Sequence, residues 1–465
     1  MRIYADHLSY NSGGVLEIDG VSAVDLAEKF GTPLYVMSEQ RMRCNFRRLR
    51  DSFLHHYRNF RIYYAVKANN NLAVLSVIRE EGGCADCSCP EEIEMAKKAG
   101  FCPEQLMYTG NYNSDDQLAY GLKSGAVINL DDYSLLGRLL RIGIPETLSF
   151  RINPGTGRGA YSGLVFGGKD TKFGIESSTA VRAYRDASKA GVKSFGIHMM
   201  AGSCVLNEGY FPEITRRLIE IAGAISKKTG IVFKFINIGG GFGVPYKPSE
   251  RELDVERVGR EVAEVFTAGC DEYGLGRPDL YIEPGRYIVC DAGILLTRVT
   301  AIKHSRKTYI GTDAGMNTLL RPALYGAYHE IILANRAGAK RKKKVNVCGQ
   351  VCENTDILAR GRLLPSDCRP GDIFAVLNAG AYGYAMSSNY NSRGRPAEIL
   401  IGCTPAESCS GIRPDIHSGI RSSNNAGKYS GRPVDVIRQR ETVADMMSKS
   451  SVPQRLRILH PSQKK

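Results

Sequence analysis

The chain has 465 residues, of which 43% are hydrophobic and 24% charged, the balance of a globular protein too long for one compact core. It shows no secretory apolar segment and no apolar run near the ~20 residues that span a bilayer. We therefore expect a cytoplasmic location and no membrane association. A net charge of +14 suggests a nucleic-acid partner, but the basic residues are widely spread and no nucleic acid is expected.

The first half of the chain alternates strand-like and helix-like patterns. Met42, Phe46, Leu49 and Phe53 recur at helical spacing and predict a helix with this face in the core. Eight short β-rich runs follow, and the first five begin 20 to 23 residues apart. The eight runs are residues 62–67, 82–87, 105–110, 126–131, 147–154, 193–200, 233–241 and 279–286.

Helical stretches separate several of these runs. Ile214, Leu218, Ile221 and Ile225 fall on one helix face, and Gly230 marks the end of that helix. Eight strands alternating with helices over about 250 residues is the pattern of a (β/α)8 barrel of the TIM type. The predicted fold class is therefore α/β plus β, because the second half of the chain has a different pattern.

Beyond Arg286 the chain consists of strand-like segments between Gly, Pro and Asp turns, which predicts a mostly β domain. The predicted division is 32–286 for the barrel, with 1–31 and 287–465 forming the second domain. The basic run at 341–344 is predicted to be a solvated turn between strands. Residues 404–432, rich in Ser, Gly, Asn and Arg, predict a mobile insertion.

Polar and glycine residues gather where the barrel strands end, which is where barrel enzymes place their active sites. Lys67 ends the first strand, and Glu283 ends the eighth. Alone, each signal is weak, since a lysine after a strand is more often a surface residue. Together they are stronger, because Gly241 and Arg286 follow strands seven and eight, where barrels often hold a phosphate. A lysine across the barrel mouth is suited to form a Schiff base with an aldehyde on the same ligand.

Six motifs carry a family resemblance: residues 64–69 (YAVKAN), 239–243 (GGGFG), 283–286 (EPGR), 351–356 (VCENTD), 380–383 (GAYG) and 388–391 (SNYN). They resemble the alanine-racemase-like (fold type III) pyridoxal-phosphate decarboxylases, from about residue 20 to 400 and again over 438–452. Within that family the nearest likeness is to the diaminopimelate decarboxylases of lysine biosynthesis. The resemblance thus implies an enzyme with pyridoxal 5'-phosphate as its cofactor.

The resemblance also implies roles for individual residues. Lys67 would hold the cofactor as a Schiff base, Glu283 would face its ring nitrogen, and Asp86 would orient Lys67. Cys352 would return a proton after CO2 leaves, from the neighbouring subunit of a homodimer whose active sites are shared across the interface. The other residues implied to contact the cofactor are His198, Ser203, Gly241, Gly285, Arg286 and Tyr382.

The implied reaction is decarboxylation of a small amino acid, meso-2,6-diaminopimelate, to L-lysine and CO2. Arg321 begins the stretch RPALYGAYH and would clamp a distal carboxylate, as would Arg286. Glu353 and Tyr325 would contact the distal ammonium and carboxylate of the substrate. Tyr382 would also contact the substrate. The alternative interpretations are a surface salt bridge for Arg321 and a small buried side chain for Cys352.

Three departures from the family pattern bear on substrate and rate. The family usually has a second histidine two residues beyond His198, stacked on the cofactor ring, where this chain has Met200. A thioether packs on an aromatic face but neither donates a hydrogen bond nor titrates. Residues 88–91 read SCPE in place of SGGE, and Tyr112 and Asn113 stand where a lysine is common.

Other functions remain open. One is decarboxylation of a different substrate: ornithine, lysine, arginine, carboxynorspermidine or a carrier-linked glutamyl group. Another is a non-catalytic homologue, which is disfavoured because Lys67, Glu283 and Cys352 are all present. A nucleic-acid module is the weakest alternative, since no reading helix or aromatic platform is recognisable.

The thirteen cysteines are scattered along the chain, so reduced thiols are expected rather than a disulfide framework. Cys84, Cys87 and Cys89 have the spacing of half a metal site. The sequence has no second Cys or His pair at ligand spacing to complete such a site. These cysteines are therefore expected to be small buried residues, and no metal is expected.

Overall fold

The computed structural model describes residues 6–159, 167–168, 171–336, 338–404, 427–429 and 431–456. The elements before the barrel are β1 (Leu8–Tyr10), β2 (Leu16–Ile18), β3 (Val21–Ser22), α1 (Ala23–Phe30), β4 (Leu34–Ser38) and α2 (Glu39–Leu54). The N-terminal segment forms a small antiparallel sheet and is followed by strand β4 of the second sheet and by helix α2, which packs on the barrel.

The next part is a closed barrel of eight parallel strands, which confirms all eight predicted strands. The barrel closes because the last strand pairs with the first, with Leu280 opposite Phe60. Its elements are β5 (Phe60–Ala65), α3 (Leu72–Glu80), β6 (Cys84–Cys87), α4 (Pro90–Lys98), β7 (Leu106–Tyr108), α5 (Asp115–Ser124), β8 (Val127–Leu130), α6 (Ser134–Ile142), β9 (Thr147–Asn153), β10 (Arg158–Gly159), β11 (Ile175–Glu176), α7 (Ser177–Lys189), β12 (Ser194–Met199), β13 (Gly202–Ser203), α8 (Tyr210–Thr229), β14 (Phe233–Asn237), α9 (Val255–Glu272), β15 (Asp279–Ile282) and α10 (Arg286–Val289). The eight barrel strands are β5 to β9, β12, β14 and β15, whereas β10, β11 and β13 are two-residue strands outside the ring.

Large side chains fill the barrel interior below the strand ends. Tyr63, Met107, Phe235 and Tyr281, from four different strands, form one buried cluster. Gly196 on β12 makes room for it, because a Cβ there would lie 2.0 Å from the Phe235 ring. The interior is therefore packed at this level, and polar groups gather at the carboxyl ends of the strands.

The two helical stripes predicted from spacing are core faces. Met42, Phe46, Leu49 and Phe53 are buried along α2, and the predicted face of α8 is buried as well. Gly230 ends α8 in a left-handed conformation, φ 73°, which a glycine adopts without strain.

The second half of the chain folds mainly as β-structure, as predicted. Its elements are β16 (Gly293–His304), β17 (Thr308–Thr312), α11 (Arg321–Tyr325), β18 (Ile331–Leu333), β19 (Lys342–Cys348), β20 (Ile357–Pro365), β21 (Ile373–Val376), β22 (Ala397–Ile401), β23 (Gly427–Tyr429), β24 (Arg432–Arg438) and α12 (Val443–Met447). Single 3-10 turns lie at Val66–Ala68, Pro103–Gln105, Tyr384–Met386, Tyr390–Ser392 and Gln454–Leu456.

Strand β4 is the centre of this second sheet although it precedes the barrel in the chain. It pairs antiparallel with β16 and parallel with β22. The predicted domain bounds of 32–286, 1–31 and 287–465 stay a prediction. Most of the predicted insertion at 404–432 lies outside the described residues.

The prediction of a turn at the basic run 341–344 is wrong. Lys342–Lys344 form the exposed start of β19 and pair with β20. Their side chains stay in water, so strand pairing there involves the backbone and needs no burial of charge. In the described part of the chain, every helix is too short or too polar to traverse a membrane.

Candidate active site

Lys67 lies in the 3-10 turn directly after β5, and Asp86 lies within the neighbouring strand β6. The Lys67 Nζ donates a hydrogen bond to Asp86 Oδ2 over 2.8 Å. Burial opposes the charge on Lys67, but Asp86 and then Tyr382 and Glu283 outweigh it, and the pKa of Lys67 is raised. Burial, followed by Glu283, raises the pKa of Asp86. Lys67 is therefore a protonated amine beside a carboxylate with an unusually high proton affinity.

Glu283 follows β15 and is the second buried carboxylate of the site. His198 Nε2 donates to its Oε2 over 3.0 Å, and Asn237 Nδ2 donates to its Oε1 over 2.7 Å. Burial alone would favour the protonated acid, but His198 and Lys67 outweigh it and the pKa of Glu283 is lowered. Glu283 is thus held as an anion with both oxygens oriented.

Asn237 was missed from the sequence. Its Oδ1 accepts from the Gly239 N–H over 2.9 Å, so it ties Glu283 to the glycine triplet. The signal was present, since Asn237 is the only polar residue near the end of an apolar strand that leads into that triplet.

Arg286, Ser203 and Gly241 line a recess beside Lys67 and Glu283. Arg286 Nη2 donates to Ser203 Oγ over 3.5 Å, and its guanidinium lies 4.8 Å from the centroid of the Tyr382 ring. Gly241 has φ 101°, which L side chains rarely adopt. Gly285 lets the loop pack closely, because a Cβ there would lie 2.8 Å from the Ala68 Cβ.

Next to this recess, a cavity of about 230 Å³ opens at the carboxyl ends of the strands. Ten of the sequence-predicted and neighbouring side chains share its wall: Lys67, Asp86, His198, Met200, Ser203, Glu283, Arg286, Arg321, Tyr325 and Tyr382. The structure therefore brings the barrel residues together with Tyr382 and Arg321 of the second half of the chain.

Arg321 is fully buried, with 1% of its surface exposed, so it is not a surface salt bridge. Its Nη1 donates to His329 Nε2 over 2.8 Å, and its guanidinium lies 4.6 Å from the centroid of the Tyr246 ring. Among the described residues its Nη2 has no hydrogen-bond partner. His329 and Tyr246 were also missed. His329 ends the quoted stretch RPALYGAYH, whereas Tyr246 carries no sequence signal.

Cys352 and Glu353 are not part of this cavity. Both are exposed in the loop between β19 and β20. The Cys352 N–H donates to Asn391 Oδ1 over 2.5 Å, and Glu353 Oε1 accepts from the Asn354 N–H over 2.8 Å. Cys352 is thus an accessible thiol and not a buried small residue.

Met200 follows β12 and lies on the cavity wall, as its position in the family pattern implied. Its Sδ accepts from the Gly240 N–H over 3.2 Å. The thioether therefore supports the middle residue of the glycine triplet, an acceptor role that a sequence comparison does not reveal.

The residues present fit pyridoxal phosphate. Buried polar atoms facing this region lack partners among the described residues: Asp86 Oδ1, His198 Nδ1 and Arg286 Nε. A lysine, an ionised carboxylate and an arginine beside backbone N–H groups match the aldehyde, the ring nitrogen and the phosphate of that cofactor. No group of three His, Cys, Asp or Glu side chains suited to a metal occurs in the part of the chain that the structure describes. The fold and site define the class of barrel enzymes that carry a phosphorylated aldehyde on a lysine.

Comparison with known proteins narrows this class. The family model described as pyridoxal-dependent decarboxylase, pyridoxal binding domain, matches residues 42–290. The diaminopimelate decarboxylase of Methanothermobacter thermautotrophicus is 44% identical over 451 residues, which cover 97% of this chain and 98% of that protein. The chain belongs to the pyridoxal-dependent decarboxylases, in the diaminopimelate decarboxylase family.

Solved structures agree with this assignment. The crystal structure of diaminopimelate decarboxylase from M. jannaschii in co-complex with L-lysine is 30% identical, with a TM-score of 0.83, and covers 98% of this chain and 100% of that one. A lysine/ornithine decarboxylase from Vibrio vulnificus, complexed with putrescine, is 19% identical with a TM-score of 0.70 and covers 81% and 96%. At 19% identity, this comparison shows a similarity of fold alone.

Proposed function

We propose that this protein decarboxylates meso-2,6-diaminopimelate to L-lysine and CO2 with pyridoxal phosphate as its cofactor. The observation that carries the proposal is one cavity in which Lys67 and Glu283 face a buried Arg321. Lys67 and Glu283 supply the chemistry of the family, and Arg321 supplies a cation for a second, distal carboxylate.

Lys67 is the residue that would hold the cofactor, and it must first lose a proton from Nζ. Asp86 Oδ2 lies 2.8 Å from Nζ and is therefore positioned to accept that proton. The same contact keeps the side chain of Lys67 pointed into the cavity. Ser203, Gly241, Gly285, Arg286 and Tyr382 surround the recess in which the phosphate would be bound.

Glu283 would hold a proton on the ring nitrogen of the cofactor. When bound, pyridoxal phosphate supplies the electron sink for the electron pair left behind as CO2 departs. The bonds from His198 and Asn237 keep the Glu283 carboxylate charged and in place, so that it does not move during this step.

Cys352 would deliver a proton to the carbon that has lost CO2, and Glu353 would contact the distal end of the substrate. Both side chains are exposed and lie outside the cavity of their own chain. This arrangement supports a homodimer in which each subunit places its Cys352 and Glu353 in the other's active site. A thiol suits this step, since thiols exchange protons close to neutral pH.

Substrate selection would rest on Arg321, Arg286, Tyr325 and Tyr382. Arg321 Nη2 is buried with no partner among the described residues, and a second carboxylate on the substrate would pair with it. Ornithine and lysine have an ammonium at that end, which a buried guanidinium repels. A substrate with carboxylates at both ends is therefore favoured.

Parallel measurement of CO2 release from diaminopimelate, lysine, ornithine and arginine tests the proposal. We expect release from diaminopimelate alone, with L-lysine as the product. Release from ornithine or lysine but not from diaminopimelate would contradict the substrate and leave the reaction class standing. No release from any of the four would contradict the function.

We also propose a cytoplasmic location and the two-domain division 32–286 against 1–31 and 287–465. The twelve cysteines of the described residues are all free, as in a reducing compartment. Separate hydrophobic cores in the barrel and in the second sheet support two domains, although β4 (Leu34–Ser38), inside the range 32–286, pairs with the second sheet and contributes Leu34 and Val36 to its core.

A further inference from the structure

Two buried arginines line the active-site cavity, and two buried side chains that do not line it contact them. Arg286 and Arg321 line the cavity, with 5% and 1% of their surfaces exposed. Tyr246 and His329 are equally buried and contact these arginines, but neither lines the cavity. Tyr246 and His329 therefore lie on the side of the arginines that faces away from the cavity.

His329 has one defined tautomer. Its Nδ1 lies 2.9 Å from the carbonyl oxygen of Leu377, which only accepts, so Nδ1 carries the proton. Its Nε2 then offers a lone pair to Arg321 Nη1 at 2.8 Å. Burial, and then Arg321, lowers the pKa of His329 to about 3, so the ring is neutral at any working pH. With Nη1 occupied in this way, Nη2 is left for a ligand.

Tyr246 lies between the two arginines. Its hydroxyl accepts from Arg286 Nη1 and contacts Cys290 Sγ at 3.0 Å, and Cys290 Sγ in turn donates to the Asn378 carbonyl. Its ring lies 4.6 Å from the Arg321 guanidinium and packs edge-on against His329. One side chain thus anchors Arg286 through its hydroxyl and Arg321 through its ring face.

We propose that Tyr246 and His329 are positioning residues that fix Arg286 for the phosphate and Arg321 for the distal carboxylate, so that His329 governs selection of a dicarboxylic substrate and the Tyr246 hydroxyl governs cofactor affinity. This proposal rests on the proposed function and deepens it. The Tyr246 hydroxyl bonds only Arg286 of the two arginines, and His329 bonds only Arg321, so that substitutions of these two groups perturb the arginines separately.

Two amides that imitate different ring nitrogens of His329 provide a matched test. His329→Gln places an oxygen near the Nε2 position and keeps the bond to Arg321, whereas His329→Asn imitates Nδ1 and keeps only the bond to Leu377. For His329→Asn we expect KM for diaminopimelate to rise about tenfold, the size expected for a lost bond to a charged group, with kcat nearly unchanged. For His329→Gln we expect KM within about threefold of the wild type.

Calorimetric binding of pimelate, a dicarboxylate without amino groups, to the holoenzyme gives a readout apart from turnover. His329→Asn should weaken pimelate binding by the same factor of about ten, and His329→Gln should not. Equal effects of the two variants on pimelate, or none, would overturn the role of His329. If the wild type binds pimelate but decarboxylates none of the amino acids offered, the proposed function fails while this comparison still stands.

Tyr246→Phe removes the hydroxyl and leaves the ring on Arg321. We expect it to weaken pyridoxal phosphate binding about tenfold in an absorbance titration while leaving pimelate binding unchanged. Tyr184→Phe is the control, because the Tyr184 hydroxyl is also buried and bonds only backbone, at Gly196 O and Phe150 N. If both variants lose stability alike and neither changes cofactor affinity, Tyr246 is structural and the proposal is wrong.

Discussion

The two ends of the proposed active site are built differently. Lys67 directly follows β5 and Asp86 lies in the adjacent strand β6; the two are paired at 2.8 Å in the wall of the cavity. Cys352 belongs to an exposed loop and is held through its own backbone N–H by Asn391. The barrel thus provides a rigid half of the site from one chain. The second domain presents a surface loop that gains an enclosed environment only by meeting another molecule.

The largest effect should come from the rigid half. Lys67→Ala removes the only amine of the Lys67–Asp86 pair, and we expect activity to fall more than about 10⁴-fold. The visible absorbance of a lysine-bound cofactor should also be lost. Lys98→Ala, an exposed lysine on α4, is the control. A Lys67→Ala protein that kept this absorbance would place the cofactor on another lysine.

Cys352→Ala should lower kcat by about 10²- to 10⁴-fold, the range for a general acid, without changing cofactor absorbance. A mixture with Lys67→Ala tests whether sites are shared. If each subunit completes the other's site, random reassociation of the two inactive variants restores about a quarter of wild-type activity. A mixture that stayed inactive after verified subunit exchange would put Cys352 and Lys67 of one chain in the same site.

Met200→Leu should have a moderate effect within the rigid half. Leucine has nearly the same size but no acceptor for the Gly240 N–H, so we expect about fivefold weaker cofactor binding, corresponding to about 1 kcal/mol. Met199→Leu is a matched control, because the adjacent Met199 is buried in the hydrophobic core. Equal cofactor affinities for the two variants would show that the Met200 sulfur contributes only packing.

The smallest effect should come from the support of the exposed half. Glu441 accepts from Asn389 Nδ2 and from Arg395, next to the turn that carries Asn391. Burial alone raises the pKa of Glu441, but the bonds from Arg395 and Asn389 outweigh it and lower the pKa from 4.5 to about 2. Its stabilisation is therefore complete above pH 4.5 and is lost as the pH falls through about 2.

Glu441→Gln should lower the free energy of unfolding at pH 7 by about 1 kcal/mol. The difference from wild type should shrink in urea titrations performed near pH 2, where about half of the wild-type carboxylate is protonated. A difference that stayed undiminished at that pH would mean that Glu441 acts through packing and not through its charge.

Much of the rigid half was predictable because strand ends follow from local patterns. Lys67, Asp86 and Glu283 each end a β-rich run, and in a barrel all such ends meet at one mouth. The eight strands and the buried helix faces followed from spacing for the same reason. The run at 341–344 was misassigned, because three consecutive exposed lysines show no alternation of polar and apolar residues that would mark a strand.

The supports of the site were not predictable, because they join positions that no local pattern relates. Tyr246 lies far from both Arg286 and Arg321 in sequence, and its contacts depend on how the loop after β14 packs against α10 and α11. The bond from Gly240 to Met200 likewise joins loops after two different strands. The family pattern marked Met200 as a departure, but only coordinates show what its sulfur contacts.

The position of strand β4 in the chain affects the order in which the two parts of the protein can fold. Leu34 pairs with both Leu296 and Ala397, so the central strand of the second sheet is made before the whole barrel, and its partners after it. During synthesis β4 therefore has no pairing strand until β16 and β22 have been made. The second sheet is then a late event of high contact order that ties the two ends of the chain together. Deletion of residues 1–38 would keep every barrel strand in the chain but remove the central strand of the second sheet.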